Sequence, residues 1–283
     1  MILLTGVTGT VGRLVAERLA TAEPVRLLAR DPRRVARLAG PGREAVGGDF
    51  GDPGSLAAAL AGVRAAFLVT ADPLAPAHDE HFVAAARRAG VRHVVKLSAL
   101  AVADPGADDL ITRWQRGAEE VLRSSGLGWT VLRPRAFMSN TLGWAGSIRT
   151  SGVVRVAHGS APHAVVDPRD LAEVAALALT GGVPQGGALP LTGPAAITPA
   201  EQLASVSGLL RRPLRLVEVD REQAYGALLA RWPRPVAEAL LESAARQASG
   251  AKARVEPTVR RLLGRPARPY CVWARDHVAA FRG

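Results

Sequence analysis

The segment that most restricts this chain is Thr5-Gly6-Val7-Thr8-Gly9-Thr10-Val11-Gly12. It follows a short β-rich run, Ile2–Thr5, and opens an amphipathic helical stretch, Val11–Thr21. Three glycines at this spacing suit a strand-to-helix turn that must stay thin. Gly6 permits the tight turn, Gly9 lets backbone approach a phosphate, and Gly12 lets the helix pack close to the strand. A helix N-terminus at such a turn presents unpaired N–H groups and a positive dipole end, which suits a dinucleotide pyrophosphate. Gly6, Thr8, Gly9, Thr10, Val11 and Gly12 are therefore candidate cofactor residues. The spacing is G-x-x-G-x-x-G rather than the dehydrogenase G-x-G-x-x-G, so its context carries the reading.

That context is a regular alternation. Strands are expected at Ile2–Thr5, Val25–Ala29, Glu44–Gly48, Ala65–Thr70, His93–Ser98 and Trp129–Arg133, with helical patterns at Val11–Thr21, Pro32–Ala39, Pro53–Ala61, Ala77–Ala89 and Asp109–Ser125. Gly62, Gly90 and Gly126 stand where three of those helices should stop. Asp52-Pro53 reads as an N-cap followed by proline at the first helical position. Strand and helix alternating in this way make a parallel sheet covered on both faces. Residues 1–135 therefore read as a Rossmann-type, doubly wound α/β core. Residues 136–283 read as a smaller mixed α/β lobe with elements returning to that core. A helix is expected at Asp167–Leu179, late strands at Ala188–Thr192 and Leu214–Val219, and a helix at Pro199–Leu210. After Asp220 the pattern is helical and Arg-rich, broken by Pro233, Pro235, Pro257, Pro266 and Pro269.

Composition removes several function classes. Of 283 residues 48% are apolar, enough for a sizeable core rather than a disordered chain. The single cysteine, Cys271, excludes an internal disulfide and a cysteine-based zinc cluster, and fits a reducing compartment, the cytoplasm. No run approaches the roughly 18 apolar residues of a membrane span, and no basic leader precedes the first strand, so neither a span nor a secretion signal is expected. The net charge of +11 is arginine spread along the chain. It lacks the interleaved aromatics or reading helix that nucleic-acid binding requires, so no nucleic-acid partner is expected. A homo-oligomer is compatible with the sequence.

The other strand ends add chemistry. Where an NAD site usually carries a carboxylate for the ribose, this chain has Arg30, with Arg33 and Arg34 one turn on. A guanidinium cluster suits a 2′-phosphate, which points to NADPH. Asp31 reads as the cap of the next helix. Asp49, beside Phe50, is placed to accept from the adenine amino group, and Thr70 and Ala71 should run beneath the cofactor ribose. His78 and His81 lack a third ligand at a recognisable spacing, so no metal is expected.

With these elements in place, the chain resembles the NmrA-like, atypical branch of the short-chain dehydrogenase/reductase superfamily, near its NAD(P)H:quinone oxidoreductase-like members. The resemblance rests on Thr5–Gly12, Gly48–Asp52, Val94-Val95-Lys96-Leu97-Ser98-Ala99, Thr130–Pro134 with Phe137-Met138-Ser139-Asn140, Val166–Asp170, Leu191–Pro194 and Gly264-Arg265-Pro266 with Trp273 and Phe281. It implies a Rossmann domain with a small C-terminal lobe and a substrate cleft between them. It also implies Ser98 in the place of the catalytic serine. Ordinary members of the superfamily then use a tyrosine with a lysine four residues later. The chain has two tyrosines and two lysines. Leu229 stands four after Tyr225, and Ala274 four after Tyr270. The pair is absent, and the helix where it belongs reads Ile111-Thr112-Arg113-Trp114-Gln115-Arg116-Gly117-Ala118-Glu119-Glu120.

Three readings follow from that absence. The first is an NADPH-dependent oxidoreductase whose acceptor, such as a quinone, needs little help from an acid, with Ser98, Lys96 or water stabilising the developing charge. The second is a biosynthetic tailoring enzyme of secondary metabolism for a flat aromatic or polyketide-like carbonyl compound. Phe137, Met138, Asn140 and Trp144 follow the sixth strand on the nicotinamide side, Trp114 adds a wall, and the Asn140 amide orients a carbonyl or water. The alternative is a non-catalytic, NADP(H)-sensing regulator.

Overall fold

The computed structural model describes residues 1–19 and 23–282. The chain divides into two compact units, Met1–Val102 with Arg113–Pro134 and Pro168–Pro190, and Ala103–Thr112 with Arg135–Asp167 and Leu191–Gly283. The chain begins with β1 (Ile2–Leu4), α1 (Thr10–Leu19), β2 (Val25–Ala29), β3 (Arg43–Gly47), α2 (Pro53–Leu60), β4 (Ala65–Leu68), α3 (Ala77–Arg88), β5 (His93–Leu97), α4 (Leu110–Arg123) and β6 (Gly128–Pro134). It continues with α5 (Ala145–Ser151), β7 (Val153–Val156), α6 (Pro168–Leu179), β8 (Gly187–Leu191), α7 (Pro199–Leu210), β9 (Arg215–Glu218), α8 (Arg221–Leu229), α9 (Arg234–Ala248), α10 (Thr258–Leu263) and α11 (Tyr270–Asp276). The expected helix ends at Ala20 and Thr21 lie outside the described residues.

The sheet of the first unit has the order β3-β2-β1-β4-β5-β6-β8. Ile2 pairs with Val25 on one side and with Ala65 on the other, and β2–β3, β4–β5 and β5–β6 are likewise parallel. Ile2, Leu3, Leu4, Leu27, Phe67, Val94, Val95 and Leu132 are wholly buried. Unbroken apolar runs of this kind are what a sheet covered on both faces demands. The edge strand β3 carries Arg43 and an exposed Glu44 instead, charges that discourage further pairing. The strand order reverses between β1 and β4, and at such a switch point the carboxyl ends of the strands open a crevice for ligands.

Local chemistry sets the element ends. Asp52 Oδ1 accepts from the Gly54 and Ser55 N–H groups and caps α2, and Gly62, Gly90 and Gly126 take positive φ just past α2, α3 and α4. The stretch expected as a helix at Pro32–Ala39 is a tighter 3-10 segment, Pro32–Leu38. Asp31 caps it as expected, but it buries only Val35, too little apolar surface to hold a longer helix.

The second unit has its own core, with Met138, Ile148, Val154, Val165, Leu203, Val206, Tyr270, Trp273 and Phe281 packed together. Its small sheet pairs β7 with β9 in parallel, Val154 opposite Leu216. β7 is four residues long with Arg155 inside it, and the sequence reading did not anticipate it. The prolines expected to break the tail also start its helices: Pro233, Pro257 and Pro269 are the N-caps of α9, α10 and α11. Among the described residues no helix is long and apolar enough to cross a membrane.

Candidate active site

The glycine loop leaves β1 and enters α1 with no room to spare. Gly6 has φ +63°, and a Cβ there would lie 2.8 Å from Val69 Cβ; a Cβ at Gly12 would lie 2.4 Å from the Gly6 carbonyl oxygen. Any side chain at these positions would push the loop off β4 or push α1 off the loop. The Gly9 N–H donates to the Gly6 carbonyl (2.9 Å), which closes the turn, and Thr8, Gly9 and Thr10 remain exposed at the helix N-terminus. Thr5 fastens the turn to the neighbouring strand, its hydroxyl donating to the Phe67 carbonyl (3.0 Å) and accepting from the Val69 N–H (2.8 Å). The result is a backbone cradle at a helix N-terminus that fits a dinucleotide pyrophosphate.

Arg30 follows directly on β2 and is exposed, as are Arg33 and Arg34; Arg33 pairs with Asp31 at 3.3 Å. Past β3, Asp49 Oδ1 accepts from the Gly51 N–H (2.8 Å) and its own N–H donates to Ser55 Oγ (3.0 Å), so the acidic loop is held by its own turn. Phe50 is half-buried, packed on Phe82 and beside His78. A carbonyl can only accept, so His81 commits its Nδ1–H to the Phe50 oxygen at 2.8 Å. Among the described residues no three His, Cys, Asp or Glu side chains gather as a metal site.

Beyond β4 and β5 lie two buried ionic clusters of the first unit. In one, Lys96 Nζ, wholly buried, donates to Asp79 Oδ1 at 2.7 Å. The Thr70 hydroxyl donates to the same carboxylate (3.0 Å), and Trp114 Nε1 donates to its other oxygen (3.2 Å). Lys96 also lies 5.9 Å from the Trp114 ring centroid, within cation–π range. Thr70, Lys96 and Trp114 thus meet on one carboxylate, Asp79, in the first turn of α3. Ala71, next in the chain, is exposed.

In the other cluster, the Ser98 hydroxyl donates to Glu119 Oε1 at 2.5 Å. Glu119 is completely buried and is gripped by Arg133 through Nε (2.9 Å) and Nη2 (2.5 Å), and by Arg123 (2.5 Å). Burial alone would raise this carboxyl. The hydrogen bonds from Arg133 and Ser98, with the charges of Arg133 and Arg123, outweigh it and hold the group below the usual carboxylate range. Ser98 therefore has its proton committed inward and its lone pairs left to accept. Gln115, one turn earlier on α4, has Oε1 buried without a partner.

The remaining candidates lie in the second unit. Phe137 bridges to Val166, and the Met138 N–H donates to the Val166 carbonyl (2.9 Å). Met138 is buried in that unit's core and walls a cavity of about 190 Å³ with Val165, Ile197 and Tyr270. Asn140 and Trp144 line a different, more polar cavity of about 420 Å³ with Ser147, Arg155 and Arg231.

Residues 6–181 match the model of an NAD(P)H-binding family. The chain is 56% identical over 281 residues to a Streptomyces griseus protein, (4-alkanoyl-5-oxo-2,5-dihydrofuran-3-yl)methyl phosphate reductase, with 99% of each chain covered. It is 36% identical over 286 residues to the NAD(P)H azoreductase of Xenophilus azovorans, again with 99% of each covered. Among solved structures, an NADPH-dependent quinone oxidoreductase of Escherichia coli in complex with NADPH superposes with a TM-score of 0.86. Its identity is 24%, with 98% of this chain and 99% of that one covered, a likeness of fold.

Proposed function

The chain belongs to the NAD(P)H-binding family, and from that premise we propose an NADPH-dependent reductase of a conjugated carbonyl compound, either a 2,5-dihydrofuran-5-one or a quinone. What supports this most is the state of the helix where a tyrosine–lysine pair would stand. Trp114 is tied to Asp79, and Glu119 is held ionised by arginines. An isolated carbonyl concentrates charge on one oxygen as it is reduced and needs an acid beside it. A conjugated acceptor does not. When bound, NADPH supplies a hydride to the β carbon of such an acceptor, whose charge spreads over the conjugated oxygens, so that water suffices as proton source.

In this reading the loop Gly6–Gly12, with Thr8, Thr10 and Val11, holds the pyrophosphate. Arg30, Arg33 and Arg34 hold the 2′-phosphate, Asp49 and Phe50 the adenine end, and Thr70 and Ala71 the ribose. Ser98, with its hydroxyl proton committed to Glu119, accepts a hydrogen bond from the nicotinamide side. Lys96, buried on Asp79, is a positioning residue for Thr70 and Trp114 rather than a group in contact with the acceptor. In the second unit, Asn140 and Trp144 share the polar cavity and remain the candidates for contact with the acceptor, whereas Phe137 and Met138, expected as walls beside them, pack against Val166 and into that unit's core.

The test is NADPH oxidation with three acceptors: a 4-alkanoyl-2,5-dihydrofuran-5-one, a simple quinone and a saturated ketone. The first two should be reduced and the ketone left untouched. NADPH should be preferred to NADH by about tenfold or more, and Arg30→Ala should abolish that preference. Binding of NADPH with no oxidation by any acceptor would replace this reading with the NADP(H)-sensing one.

A further inference from the structure

We infer that the second unit carries a site for a phosphate monoester, built from Arg135, Arg246 and Lys252 with His163 beside them, and that it holds a phosphate on the reductase's own substrate. The inference rests on the reductase reading above and adds a second end to the substrate.

The argument is a count of donors against acceptors. Arg135, more than nine-tenths buried, commits its terminal nitrogens to Asp104 at 2.7 and 3.3 Å, which leaves its Nε–H buried without an acceptor. Arg246 gives Nη2 to Asp109 at 2.5 Å, and its Nε–H is buried without an acceptor too. Gln202 Oε1 accepts from the Thr141 hydroxyl (3.2 Å), so its amide N–H donates to His163 Nε2 (2.7 Å). That places the imidazole proton on Nδ1, a third buried N–H with no partner. Lys252 Nζ gives one of its three protons to Ser243 Oγ at 2.7 Å. The Ala164 N–H, next to His163, donates to the Lys252 carbonyl at 3.0 Å, and Asp104 and Asp109, which hold the two arginines, lie on one short segment; the cluster thus gathers three cations, two carboxylates and a neutral imidazole. Its surplus is in donors, and buried donors are normally paired.

Electrostatics agree with the geometry. Burial first, then the charges of Arg246 and Arg135, pull the Lys252 ammonium down to about 8 against the opposing pull of Asp109 and Asp104. Burial and Lys252 push His163 down to about 4. An anion seated among these groups would reverse both effects. A phosphate monoester supplies three strong acceptor oxygens and close to two negative charges, which matches orphan donors on several side chains better than a two-oxygen carboxylate does. The compound in the name of the Streptomyces griseus relative carries such an ester on its conjugated ring. NADPH and inorganic phosphate share this chemistry, so the experiment must separate them.

The test uses the full-length protein loaded with NADP. The dihydrofuranone phosphate, the corresponding alcohol and inorganic phosphate are titrated calorimetrically into the wild type, Lys252→Met and Lys252→Arg. The ester should bind the wild type at least about 30-fold more tightly than the alcohol. That ratio should collapse to within about threefold in Lys252→Met and recover in Lys252→Arg, and inorganic phosphate should compete with the ester. Equal binding of ester and alcohol to the wild type overturns the site without recourse to any variant. So does a Lys252→Met protein that loses NADPH and ester alike, since the cluster would then serve the cofactor. Turnover of the alcohol or a quinone with no ester preference removes the phosphate site and leaves the reductase. Ester binding without turnover of any acceptor does the reverse.

Discussion

Each unit buries a set of charges, and the two sets are built on opposite principles. In the first unit the carboxylates are saturated: Asp79 receives Lys96, Thr70 and Trp114, and Glu119 receives Ser98, Arg133 and Arg123. Nothing more is needed to stabilise those anions, and the donors are fixed in place by them. In the second unit's cluster around Lys252 the donors described outnumber the carboxylates, and Arg135, Arg246 and His163 keep buried N–H groups without partners. A saturated cluster fixes geometry. An unsaturated one retains an affinity for something the chain does not supply. Charge-reversing or charge-removing substitutions should therefore act with opposite signs in the two places.

The largest effect is expected from Lys96→Met. It strands the Asp79 carboxylate in a site with almost no exposure, and breaking a buried ion pair from one side typically costs about 3–5 kcal/mol. Urea unfolding should show that loss, and a double variant with Asp79→Leu should recover most of it. If Lys96→Met alone is neutral, the cluster is not the rigid element described above. Glu119→Gln is next, at about 2 kcal/mol, because Arg133 and Arg123 are partly exposed and can turn toward water. Its effect on turnover should be non-additive with Ser98→Ala, since the two groups share one hydrogen bond.

Lys252→Met should go the other way. Removing a buried ammonium whose charged form the fold disfavours should leave stability unchanged or raise it by about 1 kcal/mol without phosphate present. A destabilisation as large as that of Lys96→Met would erase the contrast between the units.

How far the sequence discloses these clusters follows from how local their signals are. The loop Gly6–Gly12 is legible because its chemistry is backbone chemistry within eight residues, and the lack of a tyrosine–lysine pair is legible because a spacing can be checked without a structure. Lys96 is visible as an oddity in an apolar strand, yet its partner Asp79 sits 17 residues earlier on α3, where it looks like any acidic residue in a first helical turn. Glu119 is visible only as a departure from the usual helix; the i, i+4 partner Arg123 is within reach of pattern reading, but Ser98 and Arg133 come from two separate strand ends. The second cluster has no pattern at all. Asp104, Arg135, His163, Arg246 and Lys252 come from loops and helix ends scattered over the chain, and only folding reveals that three of them lack acceptors. β7 escaped for a related reason, since four residues with an arginine among them carry too little periodicity to register.

The remaining expected effect is a pH dependence, and its sign tests the donor surplus directly. His163 protonates near 6.5 when unfolded but only at about 4 in the fold. Between those values the unfolded chain binds more protons, so stability should rise with pH from about 4 to about 6.5 and then level off. Lys252 repeats the pattern higher up: the unfolded ammonium persists to about 10.5 while the folded one gives up its proton at about 8, so a second rise is expected over that window. A bound phosphate ester would keep Lys252 protonated in the fold. It should therefore stabilise the protein more at neutral pH than at about pH 10, and it should flatten the second rise while leaving stability at the alkaline end nearly unchanged. Urea midpoints across pH, with and without the ester, measure both. A second rise that the ester leaves untouched would mean that Lys252 does not feel the anion, and the donor surplus would have to be satisfied in some other way.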